Sequence, residues 1–245
     1  MAAIFGIVGD YTEAELACMG QRLAHKGSSI ETWSPANNVH LGEVRYWPRQ
    51  PGEDPNTASA VHLDLDWAAI GLDDCASAPL RDAVRRNRLA RELQNDPIRA
   101  ASTLDGLFAF AHWEANNNQL ILAVDRSGYE RIYYAKTADR LAFASDYKAL
   151  LALPDVMIKP NIDALQFAVS TSMINVEMTL ASGIRRVPQA HQVRIAGDAE
   201  QCDAYWRARS TPRRISLPAA AEEVREVMTG QIRRSLVPFD RLALT

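Results

Sequence analysis

The side chains that could act as nucleophiles, bases or metal ligands are few and widely separated in this sequence. Cys18, Cys75 and Cys202 form no Cys-x-x-Cys pair. The sequence therefore predicts neither a zinc knuckle nor a disulfide framework, but free thiols in a reducing compartment. Four histidines lie in separate segments and indicate no catalytic triad. They are His25, His40, His112 and His191.

Two clusters of charged residues each allow a functional and a structural interpretation. The first combines His62 with nearby carboxylates, but it has the ligand spacing of no known metal site, so solvent-facing side chains are favoured. Its carboxylates are Asp64, Asp66, Asp73 and Asp74. The second is a basic helix face, which we interpret as solvated rather than as a grip on an acidic peptide or nucleic acid. Its members are Arg81, Arg85, Arg86, Arg88 and Arg91.

The composition fits one large domain, or one domain and a piece of a second. Of the 245 residues, 47% are hydrophobic and 23% are charged, as in a globular protein with a substantial core. The net charge of -3 argues against a nucleic-acid partner. No apolar run approaches the roughly 18 residues of a membrane span, and the start lacks the features of a signal peptide. We therefore expect a cytoplasmic protein with neither nucleic acid nor membrane as a partner.

Helical spacing of apolar residues predicts four helices in the first 170 residues. It predicts a helix over residues 12–24 whose first turn holds a capping box of Thr12 and Glu15. A second helix is predicted over residues 80–93, and Pro97 is expected to stop it. Two short helices are predicted over residues 146–153 and 163–169.

Apolar runs and alternation predict strands between these helices. The first begins at Ile4, and the densest strand region starts at Gly106 and contains two hairpins. The predicted strands span residues 4–8, 39–46, one or two within 60–72, and then 106–113, 119–124, 132–135 and 141–144. Hairpins without a regular alternation of strand and helix favour antiparallel sheets with helices, an α+β sandwich.

The last part of the chain has a different character. Residues 207–218 are rich in Arg, Ser and Pro and predict a linker, and Ser216 can cap the helix that follows. Residues 241–245 have the pattern of a strand that is beginning. We expect residues 1–208 to form one domain and residues 209–245 to hold the linker, the helix and the first strand of a truncated or separate second domain.

Four stretches of the chain carry a family likeness. They are FGIVG at residues 5–9, LAHKGSS at 23–29 with LGEVRY at 41–46, the long run over 104–135, and TLASGIRRVPQAHQV at 179–193. Together, and in this order, they resemble the asparagine synthetase family, whose N-terminal half is a class II glutamine amidotransferase domain. The third stretch is the most specific, because it is similar to the long family signature that ends in Asp-Arg-x-Gly-x-x-Pro-Leu-Tyr-Tyr.

This resemblance implies an N-terminal-nucleophile hydrolase fold, an α+β four-layer αββα sandwich with two antiparallel sheets. In the family, this domain hydrolyses glutamine and passes ammonia to an ATP-using domain that begins with Ser-Gly-Gly-x-Asp-Ser. That motif is absent from this sequence. The resemblance therefore implies no cofactor in this chain, and it implies ATP and Mg for an ATP pyrophosphatase (synthetase) domain, in cis or in trans.

The resemblance also assigns roles to single residues. Arg45 matches a family position that contacts glutamine, so we expect it to be a vestigial glutamine-binding residue. The matching signature residues are implied to shape the sheet more than the chemistry, with Asp125 and Arg126 as a structural ion pair. These signature residues are Asp105, Gly106, Asp125, Arg126 and Gly128.

The family's nucleophile is a cysteine, and Phe5 stands in its place. Glutaminase chemistry takes two groups from that residue, a thiolate that attacks the amide carbonyl and a free α-amine that moves the proton. Phe5 supplies neither, since its side chain has no nucleophilic atom and its nitrogen lies in a peptide bond behind four residues. The family's oxyanion motif Asn-Gly-Glu-Ile-Tyr-Asn is also missing, and Cys18 reads as a small core residue of the first helix. We therefore expect no catalytic residue in this chain.

Relatives that close β-lactam rings or lasso peptides have also lost or altered the nucleophile, and the departures seen here resemble theirs. The sequence thus predicts a glutaminase-dead scaffold domain of an ATP-dependent amide ligase, with a lasso peptide or another macrolactam or lactam as the product. Its substrate partner would be a precursor peptide or a small amino acid. Two alternatives stay open. One is a glutamine-dependent asparagine synthetase homologue, which Phe5 opposes, and the other is a stand-alone module that binds a peptide through the basic helix.

Overall fold

The computed structural model describes residues 3–45, 53, 58–65, 78–104, 106–157, 159–173 and 178–236, with the backbone alone for 62–65, 78–85 and 234–236. The strands are β1 (Ala3–Gly9), β2 (Ser29–Ala36), β3 (Val39–Arg45), β4 (Ser59–Leu65), β5 (Gly106–Glu114), β6 (Gln119–Val124), β7 (Tyr133–Lys136), β8 (Arg140–Ala144), β9 (Lys159–Pro160), β10 (Ala181–Ser182), β11 (Ile184–Arg186), β12 (His191–Ala196) and β13 (Ala199–Ala204). The helices are α1 (Glu13–Leu23), α2 (Ala78–Asn95), α3 (Pro97–Thr103), α4 (Tyr147–Leu150), α5 (Ile162–Thr171) and α6 (Leu217–Leu236), with a turn of 3-10 helix at Ala24–Lys26.

Two antiparallel sheets form the centre of the fold. The larger sheet has the strand order β11-β7-β8-β1-β3-β2, and the smaller has the order β13-β12-β6-β5-β4. β1 is a central strand, so Phe5 lies opposite Gly42 of β3 on one side and Ala144 of β8 on the other. The first strand of the chain is therefore hydrogen-bonded along both edges.

Three apolar clusters show the layers. Between the sheets, Ile4 of β1 belongs to the same cluster as Trp113 of β5. On the outer face of the larger sheet, Phe5 and Met19 belong to a cluster that includes α1 and α4. On the outer face of the smaller sheet, Leu89 of α2 packs with residues of β5 and β6. The order of layers is helix, sheet, sheet, helix, which confirms the predicted αββα sandwich.

The capping box predicted for α1 is present. The Thr12 hydroxyl accepts a hydrogen bond from the Glu15 N–H at 3.2 Å, and the Glu15 carboxylate accepts one from the Thr12 N–H at 2.8 Å. Arg140 of β8 then binds both oxygens of Glu15 at 2.9 Å. The carboxylate that caps α1 therefore also fixes the helix against the larger sheet.

Some boundaries differ from the sequence predictions. Pro97 does not only end α2 but also begins α3, and Asp96 caps that helix by accepting a hydrogen bond from the Arg99 N–H at 2.9 Å. Proline suits the first turn of a helix, because a backbone N–H at that position would have no partner within the helix. The short helix predicted over residues 146–153 is limited to α4. The sequence predicted no strand at the position of β2 or at those of β9 to β13.

The helix predicted after Ser216 is confirmed as α6, and the Ser216 hydroxyl accepts a hydrogen bond from the Ala219 N–H at 3.4 Å. The strand expected over residues 241–245 lies outside the described residues. The domain boundary near residue 208 thus stays a prediction. No helix in the described part of the chain is long and apolar enough to cross a membrane.

Candidate functional site

Phe5 fills the position that the resemblance assigns to a nucleophile. The side chain is completely buried, and its ring lies so close to Gly42 that a Cβ on that glycine would overlap the ring. On the helix side, a Cβ on Gly20 of α1 would lie 3.0 Å from the tip of the ring. One glycine on the strand and one on the helix therefore leave the space that the phenyl ring fills. The result is a packed apolar position without a reactive atom.

Ala3 and Ile4, which precede Phe5, are part of the sheet. The Ile4 N–H donates a hydrogen bond to the Ser145 hydroxyl at 2.9 Å, and the Ser145 N–H donates to the Ile4 carbonyl at 2.8 Å. Ala3 also belongs to β1 and is paired with Val44 of β3. The nitrogen of Phe5 is therefore an internal peptide nitrogen of a strand that begins before it.

Arg45, the expected glutamine-binding residue, is a buried cation with 2% of its surface exposed. Its Nη2 donates hydrogen bonds to both carboxylate oxygens of Glu53, at 3.0 and 2.8 Å. The carboxylates of Glu31 and Glu43 lie 3.6 and 3.7 Å from the guanidinium. Glu31 and Glu43 face each other across β2 and β3, and like charges in such a pair repel. Arg45 offsets that repulsion, and Glu53 completes a buried ion cluster.

Arg86 of α2 connects this cluster to the smaller sheet. Its Nη1 donates to Glu43 at 2.6 Å and to the Val61 carbonyl at 2.9 Å. The second oxygen of Glu43 accepts a hydrogen bond from the Val61 N–H at 2.7 Å. Buried charges are tolerated when they are paired and hydrogen-bonded. Glu43 meets this condition and links β3, β4 and α2.

The basic face of α2 is solvated at two of its three described arginines and buried at the third. Arg86 is buried under the helix, whereas Arg88 is on the outside and pairs with Glu92 at 3.3 Å. Arg91 is exposed. The interpretation of a solvated face is wrong for Arg86, because its guanidinium is buried and pairs with Glu43. The side chains outside the described residues are those of Arg81 and Arg85.

Phe5 and Arg45 lie on opposite faces of the larger sheet. Phe5 is paired with Gly42, and side chains alternate between the faces of a strand. Arg45, three positions further along β3, therefore shares the other face with Glu43, whose partner on β1 is Ile4 of the cluster between the sheets. The structure does not bring the nucleophile position and the glutamine-binding position onto one face.

Asp125 anchors the loop that follows β6. Its fully buried carboxylate accepts hydrogen bonds from the N–H groups of Ser127 at 2.9 Å, Tyr129 at 3.3 Å and Glu130 at 2.8 Å. The Ser127 hydroxyl is a further short contact. A carboxylate used in this way organises the backbone of its own loop. Its contacts are structural ones.

The expected ion pair between Asp125 and Arg126 is not formed within the described residues. The Asp125 carboxylate is occupied by its loop, and Arg126 points elsewhere. The Arg126 Nη2 donates to the Leu104 carbonyl at 3.2 Å, and its guanidinium lies 5.6 Å from the centre of the Trp206 ring. That distance allows a cation–π interaction.

Two signature glycines adopt backbone conformations that favour glycine. Gly106, the first residue of β5, has a φ of +105°, and Gly128 has a φ of +65°. A Cβ on Gly128 would also lie 2.7 Å from the Cβ of Gln189. Residues with a side chain rarely adopt such angles, so both positions shape the chain. Asp105 lies outside the described residues.

Two histidines considered as possible catalytic residues are buried parts of the core. The Nδ1 atom of His112 lies 2.8 Å from the Ser59 hydroxyl, and burial lowers its pKa to about 4. The Nδ1 atom of His40 lies 2.7 Å from the Ser34 hydroxyl, its ring stacks on Tyr11, and burial lowers its pKa as well. Both rings are therefore neutral near pH 7.

The described residues contain no group of three or more His, Cys, Asp or Glu side chains that could hold a metal ion. The possible cluster around His62 lies outside that part, as does Cys75. Cys18 is half-buried on α1, and Cys202 is exposed on β13. Neither cysteine forms a disulfide.

The ion cluster was missed at the sequence level, apart from Arg45. A signal was present, because LGEVR places one acid and one base in a strand whose residues are all buried. Charges in a fully buried strand need partners. The partners that close the cluster, Glu53 and Arg86, could not be read from that stretch.

Comparison with known proteins agrees with this geometry. Residues 95–206 match the family model described as "Glutamine amidotransferase domain". The chain is 29% identical over 135 residues to the glutamine-hydrolyzing asparagine synthetase 3 of Bacillus subtilis (strain 168), covering 55% of this chain and 22% of that protein. It is 31% identical over 144 residues to asparagine synthetase 1 of the same organism, covering 57% and 22%. The match thus spans only about a fifth of the length of these relatives.

The fold has solved counterparts. The glutamine phosphoribosylpyrophosphate amidotransferase of B. subtilis, solved with ADP and GMP, superposes with a TM-score of 0.53 at 15% identity, covering 83% of this chain and 49% of that chain. At this identity the likeness concerns the fold alone. The chain has the N-terminal-nucleophile sandwich fold, and its residues 95–206 are similar to glutamine amidotransferase domains. In sequence, this domain is related to the asparagine synthetases.

Proposed function

We propose that this domain does not hydrolyse glutamine and that it serves as the scaffold of an ATP-dependent amide ligase related to the asparagine synthetases. The observation that carries the proposal is the buried phenyl ring of Phe5 in the nucleophile position. The fold is that of an amidotransferase, whereas the residue that would perform the reaction is a packed core residue.

Glutamine hydrolysis depends on the residue at position 5 for two chemical groups. Hydrolysis of the glutamine amide begins when a thiolate attacks the carbonyl carbon, and a base must move the proton to the leaving ammonia. The ring of Phe5 has no lone pair to attack with. Its nitrogen is an amide within β1, where Ile4 and Ala3 precede it, and an amide nitrogen is not a base. Neither the nucleophile nor the base is therefore present.

A ligase without glutaminase needs another amine. In the proposed reaction, the substrate carboxylate attacks ATP to form an acyl-adenylate and release pyrophosphate. An amine of the same substrate then attacks the acyl carbon, which closes the ring and releases AMP and a proton. The product class is a lasso peptide or another macrolactam or lactam, from a precursor peptide or a small amino acid. The likeness of this chain's departures to those of ring-closing relatives supports this choice. A glutamine-dependent asparagine synthetase would need the missing nucleophile.

ATP and Mg are assigned to a synthetase domain, in cis or in trans, since this sequence has no Ser-Gly-Gly-x-Asp-Ser motif. The exposed apolar surface supports such a partner. Of the 19 large apolar side chains exposed in the described part of the chain, 15 lie between Met157 and Ile232. α5 exposes Phe167 and Val169, and α6 exposes Val227. A partner that covered the apolar side chains of α5 and α6 would remove them from water, which is favourable.

The test is ammonia release from glutamine. The full chain is incubated with L-glutamine, with and without ATP, and ammonia and glutamate are measured. We expect the same release as from the Phe5→Ala variant and from buffer, while a glutamine-hydrolysing asparagine synthetase serves as positive control. Release above that of Phe5→Ala would contradict the proposal.

The ligase part has its own test on the native gene product. An alkylating glutamine analogue inactivates enzymes whose cysteine attacks glutamine. We expect ATP consumption by the native product to be unaffected by this reagent and independent of glutamine. Loss of ATP consumption after treatment would instead favour a glutamine-dependent synthetase.

A further inference from the structure

Three segments of the chain meet at the end of β6, next to an exposed tryptophan. Ala190 joins them, because its N–H donates to the Asp125 carbonyl at 3.1 Å and its carbonyl accepts hydrogen bonds from the N–H groups of Tyr205 and Trp206 at 3.0 and 3.4 Å. The Tyr205 hydroxyl also donates to the Val124 carbonyl at 2.6 Å. The loop after β6, the connection between β11 and β12, and the chain after β13 are therefore fixed side by side.

Each of these segments brings arginines to the same place, which we call the basic surface. Its members are Arg126, Arg131, Arg186, Arg207 and Arg209. The Arg186 Nη2 donates to the Gly128 carbonyl at 3.2 Å, and burial lowers the pKa of this guanidinium, with the like charge of Arg131 acting in the same direction. The Arg126 guanidinium lies 5.6 Å from the centre of the Trp206 ring. Positive charge is therefore concentrated here in a chain whose net charge is -3.

The loop after β6 also contains two acidic residues, and neither reaches the outer arginines. The carboxylate of Asp125 is fully buried and accepts hydrogen bonds from three backbone N–H groups of its own loop. Glu130 is half-buried in the same loop. Arg207 and Arg209 are exposed, and neither has a carboxylate partner among the residues that the structure describes. Two arginines of the basic surface are therefore accessible to a ligand.

An open cavity of about 630 Å³ lies beside these two arginines. In the described part of the chain it is lined by Ala204, Tyr205, Trp206, Arg207 and Arg209. The Trp206 side chain is 40% exposed, so part of its ring faces solvent. Binding sites in proteins have volumes of about 300–1,000 Å³ and combine aromatic walls with a few polar groups. The cavity thus has the size, the aromatic wall and the positive charge of a site for an acidic ligand.

We propose that the basic surface binds an acidic peptide, whose carboxylates pair with Arg207 and Arg209 and whose chain lies along the Trp206 ring. Arginine binds carboxylates through directed, charge-assisted hydrogen bonds, and arginine and tryptophan are both enriched in protein interfaces. The inference deepens the proposed function and rests on it for the choice of a peptide, since a precursor peptide is one of the proposed substrates. The net charge of -3 disfavours a long polyanion such as a nucleic acid, whereas a short acidic peptide needs only the local charge.

The experiment measures the binding of a fluorescein-labelled peptide of alternating Glu and Gly residues to the full chain, by fluorescence anisotropy at low salt. The same peptide with Gln in place of Glu should not bind. We expect the double variant Arg207→Gln/Arg209→Gln to raise the dissociation constant of the glutamate peptide about 5- to 30-fold, because each exposed ion pair contributes modestly. The matched control is Arg88→Gln/Arg91→Gln, which removes the same charge from the exposed face of α2 and should change the dissociation constant less than about twofold.

Three results would overturn the inference. One is a folded wild-type protein that does not bind the glutamate peptide, and another is equal weakening in the two double variants, which would mean general charge attraction. The third is single-stranded DNA of the same charge that binds more tightly than the peptide and is lost in Arg207→Gln/Arg209→Gln, which would assign the surface to a nucleic acid. Circular dichroism checks that the variants fold, and the two single variants replace the double one if it does not. Ammonia release by wild type would overturn the proposed function and leave the peptide measurement unchanged, so the two failures are distinguishable.

Discussion

Removal of the Phe5 ring tests the interpretation of the nucleophile position most directly. Phe→Ala changes in a core cost about 3–5 kcal/mol, and the cost is higher when the site cannot collapse. The walls around this ring include the backbone of β3 at Gly42 and of α1 at Gly20, which have no side chains that could move into the space. We therefore expect Phe5→Ala to lower the free energy of unfolding by an amount near the upper end of that range.

The assay is urea unfolding followed by circular dichroism, with the slope against urea compared between variants. For a chain of this length, a loss of about 4 kcal/mol corresponds to a decrease in Tm of about 8–16 °C. Phe167→Ala is the matched control, because Phe167 of α5 is 41% exposed and its truncation should cost less than about 1 kcal/mol. If Phe5→Ala costs no more than Phe167→Ala, the ring is not a core residue, and the reasoning about this position is wrong.

Two further predictions concern neighbouring features. Gly42→Ala should lower the free energy of unfolding by about 1–3 kcal/mol, because the new Cβ would overlap the Phe5 ring. Urea unfolding should show a smaller decrease when the same change is made in Phe5→Ala. The control is Gly230→Ala, because Gly230 has open space around it. The pKa of His112 is about 4 in the fold and about 6.5 in the unfolded chain. The free energy of unfolding should therefore lose about 3 kcal/mol as the pH falls from 6.5 to 4, because only the unfolded chain takes up a proton at His112 in that range. Above pH 6.5 this loss is absent. An equally steep pH dependence of Tm in His112→Gln would contradict this.

The elements predicted from the sequence are those with a strong local signal. β1, β5 and β6 are apolar and buried, and α1 combines an apolar face with a capping box. β2 and β13 were missed because they are edge strands. The sequence of β13, AEQCDA, has no buried residue and hence no apolar alternation. An edge strand is held by backbone pairing with one neighbour, and a single sequence carries little trace of that.

The site was predictable to the same limited extent. The resemblance implies that Phe5 stands at a nucleophile position, and the residue type then shows that its side chain has no nucleophilic atom. The ion cluster depends on contacts between distant parts of the chain, since Glu43 and Arg86 are 43 positions apart. Basic residues at helical spacing suggested a solvated face, but tertiary packing directs Arg86 inward. Arg86 is buried because it pairs with Glu43, and Glu43 lies on β3 in another layer of the fold.

The two departures at the site act in the same direction. The resemblance implies a site with a space for its substrate and a cation at Arg45 that contacts this substrate, and such features cost stability. Here the Phe5 ring fills one space, and Glu53 neutralises the cation at Arg45. Phe5 and Arg45 lie on opposite faces of the larger sheet, so the filling of one position does not require the pairing of the other. We therefore expect a cysteine restored at position 5 to leave the hydrogen bonds between Arg45 and Glu53 unchanged.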